Sequence, residues 1–216
     1  MIAITGDIAS GKSTVSRHLC GLGFSLYSAD SITHELYLQE KVLIDIRNLF
    51  NLEFVDRKSI REIVFNDEQK LKMLNDYLHP LIIEKIQTII RSFDSPTVEC
   101  MDTESSFVFF EIPLLFECNV ENLFDYSILV TADFDVKVNR IITRDSCSIE
   151  QAKFIINKQM PQSEKICRAD FVIENNQDVD TLISNIDILL QNTTFIPISQ
   201  RHGRFTDEVR HTGAQA

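Results

Sequence analysis

Apolar residues along this chain follow two spacings, and the two alternate. Short, nearly unbroken runs occur at Met1-Ile2-Ala3-Ile4-Thr5, Phe24-Ser25-Leu26-Tyr27, Phe107-Val108-Phe109-Phe110-Glu111-Ile112, Tyr126 to Thr131 and Phe171-Val172-Ile173. A run that is apolar on successive positions has both faces buried, as in a parallel sheet covered by helices. Elsewhere the apolar positions recur every three or four residues. Val15, Leu19 and Leu22 do so over 12–22, with Gly23 placed to end the helix. Segments 31–38, 41–50 and 57–66 read as helical. Leu71, Leu74, Leu78, Ile82, Ile86 and Ile89 continue the pattern, and Leu182 and Ile186 mark a last helix over 178–190. Pro80 is expected to interrupt the long helix or start a new one, because it lacks an N–H and restricts His79 before it. The stretch 136–168 is expected to form two helices about a turn at Ser146-Cys147-Ser148.

The pattern predicts an open α/β sheet with a helical insertion, since 31–93 carries no strand and is too long for a simple crossover. The expected division is a core of 1–30, 106–135 and 168–192, a helical domain at 31–93, a surface loop at 94–105 and a helical lid at 136–167. A C-terminal tail, 193–216, is expected to be partly mobile.

Composition narrows the class. With 216 residues, 44% of them hydrophobic, the chain can bury a sizeable core. No apolar run reaches the ~20 residues of a membrane helix, and the N-terminal run reads as a strand rather than a signal sequence. Five cysteines, odd in number and without a C-x-x-C pair, argue against a zinc site or disulfide framework, and a cytoplasmic location is expected. A net charge of −11 argues against non-specific nucleic-acid binding. That sign reverses locally: 136–168 holds seven basic residues against three acidic ones, and Arg140 and Arg144 share one helix face.

The chemistry begins at Gly6-Asp7-Ile8-Ala9-Ser10-Gly11-Lys12-Ser13, which has the spacing G-x-x-x-x-G-K-[ST] between a strand and a helix. Such a loop turns its N–H groups inward on an anion, and the helix dipole adds to the attraction. Lys12 is expected on the β- and γ-phosphates and the Ser13 hydroxyl on Mg²⁺. Asp30 falls at the carboxyl end of the second strand, the side on which ligands bind in such sheets, though Asp is also a common helix N-cap. Glu111 is a candidate acid acting on Mg²⁺ through water, and Glu117 a weaker one. A regulatory GTPase is excluded: there is no glycine between Gly23 and Gly203 for a D-x-x-G switch. Asn157-Lys158-Gln159-Met160 also lacks the carboxylate that reads guanine. A small-molecule kinase accounts for the loop, the insertion and the basic lid together; a non-catalytic nucleotide-binding regulator accounts for the loop alone.

The chain resembles the dephospho-CoA kinases over about residues 1–190. The likeness rests on the phosphate loop, Ser28-Ala29-Asp30, Asp56-Arg57-Lys58-Ser59-Ile60-Arg61, His79-Pro80-Leu81-Ile82, Pro113-Leu114-Leu115-Phe116-Glu117, Arg140 with Arg144-Asp145, Gln159, and Ala169 to Ile173 with Asn175-Asn176. The resemblance implies a three-layer P-loop kinase fold with a central parallel sheet, a helical substrate-binding insertion and a helical lid. It also implies ATP-dependent phosphorylation of the ribose 3′-hydroxyl of dephospho-CoA, the last step of coenzyme A synthesis; another nucleotide or small-molecule kinase is the alternative. Catalytic roles fall to Asp30, Lys12, Arg144 and Arg140. ATP contacts fall to Gly6, Ala9, Ser10, Gly11, Lys12, Ser13, Thr14 and Asn175, and acceptor contacts to Asp30, Arg57, Arg61, His79 and Leu115. Mg²⁺ is expected on Ser13, with Asp30 reaching it through water. ATP and dephospho-CoA are the expected partners, with neither nucleic acid nor membrane, and a monomer is expected. The family commonly has Gly-Gly-Ile-Gly-Ser-Gly-Lys in the loop, so Asp7 and Ala9 depart from it. A negative φ at Ala9 would make that change inexpensive; Asp7 is expected either to weaken ATP binding or to point to solvent.

Overall fold

The computed structural model describes residues 1–52, 56–65, 67–94 and 107–193, the side chains of Arg57, Lys58, Phe65 and Asp94 excepted. In chain order the elements are β1 (Ile2–Gly6), α1 (Lys12–Gly21), β2 (Ser25–Ser28), α2 (Ala29–Leu36), α3 (Glu40–Phe50), α4 (Arg57–Phe65) and α5 (Glu68–Asp94). They continue with β3 (Val108–Glu111), β4 (Tyr126–Thr131), α6 (Phe134–Asp145), α7 (Ile149–Asn157), α8 (Gln162–Arg168), β5 (Phe171–Glu174) and α9 (Val179–Asn192). The expected loop at 94–105 lies, beyond Asp94, outside the described residues, as does the tail from 194.

The strands form one sheet in the order β2-β3-β1-β4-β5. β1 pairs parallel with β3, Ile4 opposite Glu111, and with β4, Gly6 opposite Val130. Every residue of β1 is buried. From β1 the chain winds to β2 on one side of the sheet, and from β3 it crosses over β1 to β4 on the other, so the carboxyl end of β1 is a point where the winding reverses, the usual ligand crevice of an open α/β sheet. The phosphate loop leaves from that end.

Two compact units result: one gathers residues up to Tyr27 with those described from 107 onward, the other those from 28 to 94. In the first, Val15 and Leu19 of α1 and Leu182, Ile186 and Leu189 of α9 pack on Ile2, Ile4, Phe109, Ile128 and Val130 of the sheet. Each such fully buried side chain contributes about 1.5–3 kcal/mol relative to exposure. α1 ends as expected: Gly23, at φ 88°, lets its N–H reach Cys20 O at 3.0 Å and that of Phe24 reach Leu19 O at 3.1 Å, a Schellman closure. A separate cluster, Val138, Ile141, Ala152 and Ile156, packs α6 on α7, with Ile8 and Ala9 of the phosphate loop against it.

In the second unit Val42, Ile46, Ile60, Leu74 and Leu78 form the core, and Tyr77 donates to Asp45 Oδ2 at 2.8 Å, tying α5 to α3. Two expectations are corrected. α5 runs unbroken through Pro80; buried or partly buried neighbours on both sides of it, Leu78, Leu81 and Ile82, hold the helix through the lost hydrogen bond. The stretch 136–168 holds parts of three helices, not two: Pro161 cannot continue α7 and instead caps α8. No described helix is long and apolar enough to cross a membrane.

Candidate active site

Two glycines fix the shape of the loop. Gly6 sits at φ 150°, where a β-carbon would stand 2.2 Å from the Val130 carbonyl oxygen; Gly11 sits at φ 106°, where one would stand 2.2 Å from Asn175 Nδ2. Ala9 is at φ 60°, so the condition under which alanine would be inexpensive there is not met, and its β-carbon bears left-handed strain. Lys12 folds back over the turn, Nζ 2.8 Å from the carbonyl oxygens of both Gly6 and Asp7. The Thr14 N–H reaches Gly11 O at 3.0 Å, which starts α1. The first turn of α1 holds no acidic residue, so its dipole is uncancelled there for an anion.

The loop is held by side chains from beyond β4. Gln159 Oε1 accepts the Ile8 N–H at 2.8 Å, and Asn175 Nδ2 donates to Ser10 O at 2.7 Å. Arg140 donates to Ala9 O at 3.3 Å and to Asn175 O and Oδ1 at 3.0 and 3.2 Å. Arg140, Asn175 and the loop are thus one hydrogen-bonded assembly. Arg144, over half exposed, makes a two-pronged pair with its neighbour Asp145, both bonds 2.8 Å long.

Ser13 Oγ donates to Glu111 Oε1 at 3.3 Å. A hydroxyl and a carboxylate at this spacing suit Mg²⁺, which takes one or two protein oxygens and fills its octahedron with water and phosphate oxygens. Among the described residues no group of three or more His, Cys, Asp or Glu side chains is placed to hold a metal, so the donor set fits a phosphate-borne ion better than an all-protein cage.

Asp7 does not point to solvent, and that expectation is corrected. It is 4% exposed and lies between Lys137 Nζ, 2.5 Å from Oδ2, and Lys165 Nζ, 2.9 Å from Oδ1. Burial pushes its carboxyl up, and the two ammonium groups outweigh that, leaving it below the usual carboxylate value. Lys137 and Lys165 escaped the reading of the sequence, where they passed as part of an exposed basic lid; the only signal was a carboxylate inside a phosphate loop, which demands a partner.

Of the other expected residues, Ser10 is buried with no hydrogen-bond partner for its hydroxyl. Leu115 is 0% exposed and belongs to the core. Asp30, Arg61 and His79 belong to the second unit. Asp30 occupies the first turn of α2, its N–H donating to Ser28 Oγ at 3.2 Å, and Arg61 is exposed on α4. Burial lowers the His79 imidazole from its ordinary value, with Asp76 opposing. Arg57 opens α4, and its side chain lies outside the described residues.

A loop of this geometry, between the central strand of a parallel sheet and the helix that follows, serves an enzyme that moves the terminal phosphoryl group of a nucleoside triphosphate: a P-loop kinase. Comparison narrows the class. The profile of the dephospho-CoA kinase family matches residues 1–181. The dephospho-CoA kinase of Fusobacterium nucleatum is 35% identical over 87% of this chain and 95% of its own, and that of Oceanobacillus iheyensis is 36% identical over 88% and 96%. The solved dephospho-CoA kinase from Campylobacter jejuni superposes with a TM-score of 0.64 at 29% identity, covering 88% of this chain and 94% of that one. The chain belongs to the dephospho-CoA kinase family.

Proposed function

We propose that this protein transfers the γ-phosphoryl group of ATP to the ribose 3′-hydroxyl of dephospho-CoA, giving CoA and ADP. The observation that carries the reading is the phosphate loop itself, with Lys12 Nζ resting on the carbonyls of Gly6 and Asp7, in a chain matched by the family over residues 1–181.

Phosphoryl transfer asks for alignment and charge neutralisation more than for covalent help. The inward N–H groups of the loop hold the β-phosphate. The Lys12 ammonium leaves its resting carbonyls for the β- and γ-oxygens as they arrive. Arg140 and Asn175 keep the loop in shape while this happens, and Asn175 borders the adenine. The Ser13 hydroxyl would hold Mg²⁺, with Glu111 and Asp30 acting through water, and the ion would offset charge on the β- and γ-phosphates. Asp30 orients the acceptor hydroxyl and takes its proton as the new P–O bond forms and the bond to the ADP oxygen breaks. Arg144 exchanges Asp145 for the transferring group, which suits a planar guanidinium that binds two oxygens at once. Arg57, Arg61 and His79 bind the acceptor's phosphates and adenosine, and Leu115 is a further acceptor contact. The enzyme acts in the cytoplasm as a monomer.

The direct test is incubation with Mg·ATP and dephospho-CoA and detection of CoA by mass. Phosphorylation of free nucleosides or nucleotides in place of dephospho-CoA would overturn the acceptor, and ATP binding without transfer would make the protein a regulator. Asp30→Asn is expected to keep ATP affinity and lower turnover by roughly 10²–10⁴-fold. Unchanged turnover would remove Asp30 from the base role.

A further inference from the structure

Four charged side chains from four separate stretches meet behind the phosphate loop. Asp7 accepts from Lys137 of α6 and lies at ion-pair distance from Lys165 of α8. Lys165 Nζ is also 2.7 Å from Glu117 Oε1, which follows β3. Its contacts with both carboxylates are close in distance but off the axis of a hydrogen bond. Lys137 donates further to Gln162 Oε1 at 2.8 Å, and the Met160 N–H donates to Glu117 Oε1 at 3.3 Å. Lys137 is 3% exposed and Lys165 0%, so the ammonium groups meet carboxylates and amides rather than bulk water. The cluster has two acids and two bases and balances.

Balance matters because of where the cluster lies. The main-chain carbonyl of Asp7 is one of the two on which the Lys12 ammonium rests, at 2.8 Å. One residue therefore touches both the phosphate-binding lysine and the buried cluster. A charge left over in the cluster acts on a polyphosphate through protein, where screening by water is weak.

We infer that Asp7 is a positioning residue that sets the loop's affinity for polyphosphate by neutralising Lys137 and Lys165 behind it. The anion then meets the field of Lys12 and the loop N–H groups, without two more ammonium groups at its back. ADP, once formed, is held less tightly than an unbalanced cluster would hold it. The inference rests on the loop being a nucleotide seat, but not on which acceptor the enzyme uses.

The test is a charge cycle read by calorimetric titration with ADP and, separately, inorganic tripolyphosphate, both without magnesium. Asp7→Asn leaves one excess positive charge, and binding of both ligands is expected to tighten by about ten-fold, the scale of a unit charge over ~10 Å at an effective dielectric of ~20. Lys137→Gln leaves one excess negative charge and is expected to weaken binding comparably. The double variant is neutral again and should return to within about two-fold of the unsubstituted protein. Lys137→Arg, which keeps the charge and does not touch Asp7, should also stay within about two-fold and supplies a second arm if Asp7→Asn folds poorly. Shifts of the same sign in Asp7→Asn and Lys137→Gln would overturn the inference, as would unchanged affinities alongside a fallen thermal midpoint; either makes the cluster purely structural. A protein that follows the cycle yet makes no CoA would overturn the proposed acceptor and leave this inference standing.

Discussion

Ala9 holds a β-carbon in left-handed backbone, at φ 60°, in the middle of a phosphate-binding turn. The turn is imposed from outside, because Arg140 holds the carbonyl of Ala9 and Asn175 that of Ser10. Ala9→Gly is therefore expected to raise stability by about 0.5–1 kcal/mol, the relief of strain less the added freedom of the unfolded chain. Urea denaturation followed by circular dichroism measures it, and a loss of stability would mean that the packing of Ala9 against the α6–α7 cluster outweighs the strain. At this scale the loop was legible in the sequence because its spacing states a backbone requirement: Gly6 and Gly11 occupy conformations that a side chain would block. The partners of Asp7 were not legible. Lys137 and Lys165 reach it from far along the chain, and nothing local to a lysine on an amphipathic helix says whether its ammonium faces water or a buried carboxylate.

Elements were read most securely where burial on both faces leaves an unmistakable apolar run, as in β1, β3 and β4. Breaks and continuations were read less well. Pro80 looked like a helix end, yet packing on both sides carries α5 through it; Pro161 ends one helix and begins another. The joint between α5 and α3 gives a measurable consequence. Burial, then the hydrogen bond and charge of Asp45, push the Tyr77 hydroxyl up from 10.0 to about 12. Because the folded value is raised, the stability it contributes is complete below the unfolded value and lost as pH rises through the folded one. Absorbance titration of the four tyrosines should show a component near pH 12 that disappears in Tyr77→Phe; a substitution that instead removes a component at lower pH would mean the Asp45 bond is not kept in solution. Pro80→Ala, which restores the missing N–H, is expected to raise the unfolding free energy by about 1 kcal/mol or more, read as a higher urea midpoint at unchanged slope.

Across the molecule, α6 and α8 are fastened to the phosphate loop and core, while α7 between them exposes apolar side chains. Lys137 and Lys165 bind the bases of α6 and α8 to the loop, and Arg168 bonds Phe116 O at 3.0 Å. α7, by contrast, exposes Ile149 and Phe154. Closure over ATP and dephospho-CoA, which keeps water from the phosphoryl group, is therefore expected to move α7 and leave the roots in place. Fluorescence transfer from a label on α7 to one on α9 should shorten when both ligands are added, while a label at the start of α6 should not respond. Equal distances with and without ligands would rule closure out.

The position of β1 at the centre of the sheet bears on how the chain assembles during synthesis. Its Ile2 pairs with Phe109 of β3 on one side and Tyr126 of β4 on the other, so β1 has no neighbour on either side until those later strands have left the ribosome. The helical unit over 28–94 is continuous in sequence and meets its own contacts first. Loop closure over such separations is slow and leaves an apolar strand open to wrong pairing. The nucleotide seat, hung from the end of that strand, is thus encoded before its neighbours and completed late, after β4 and β5 have docked beside it.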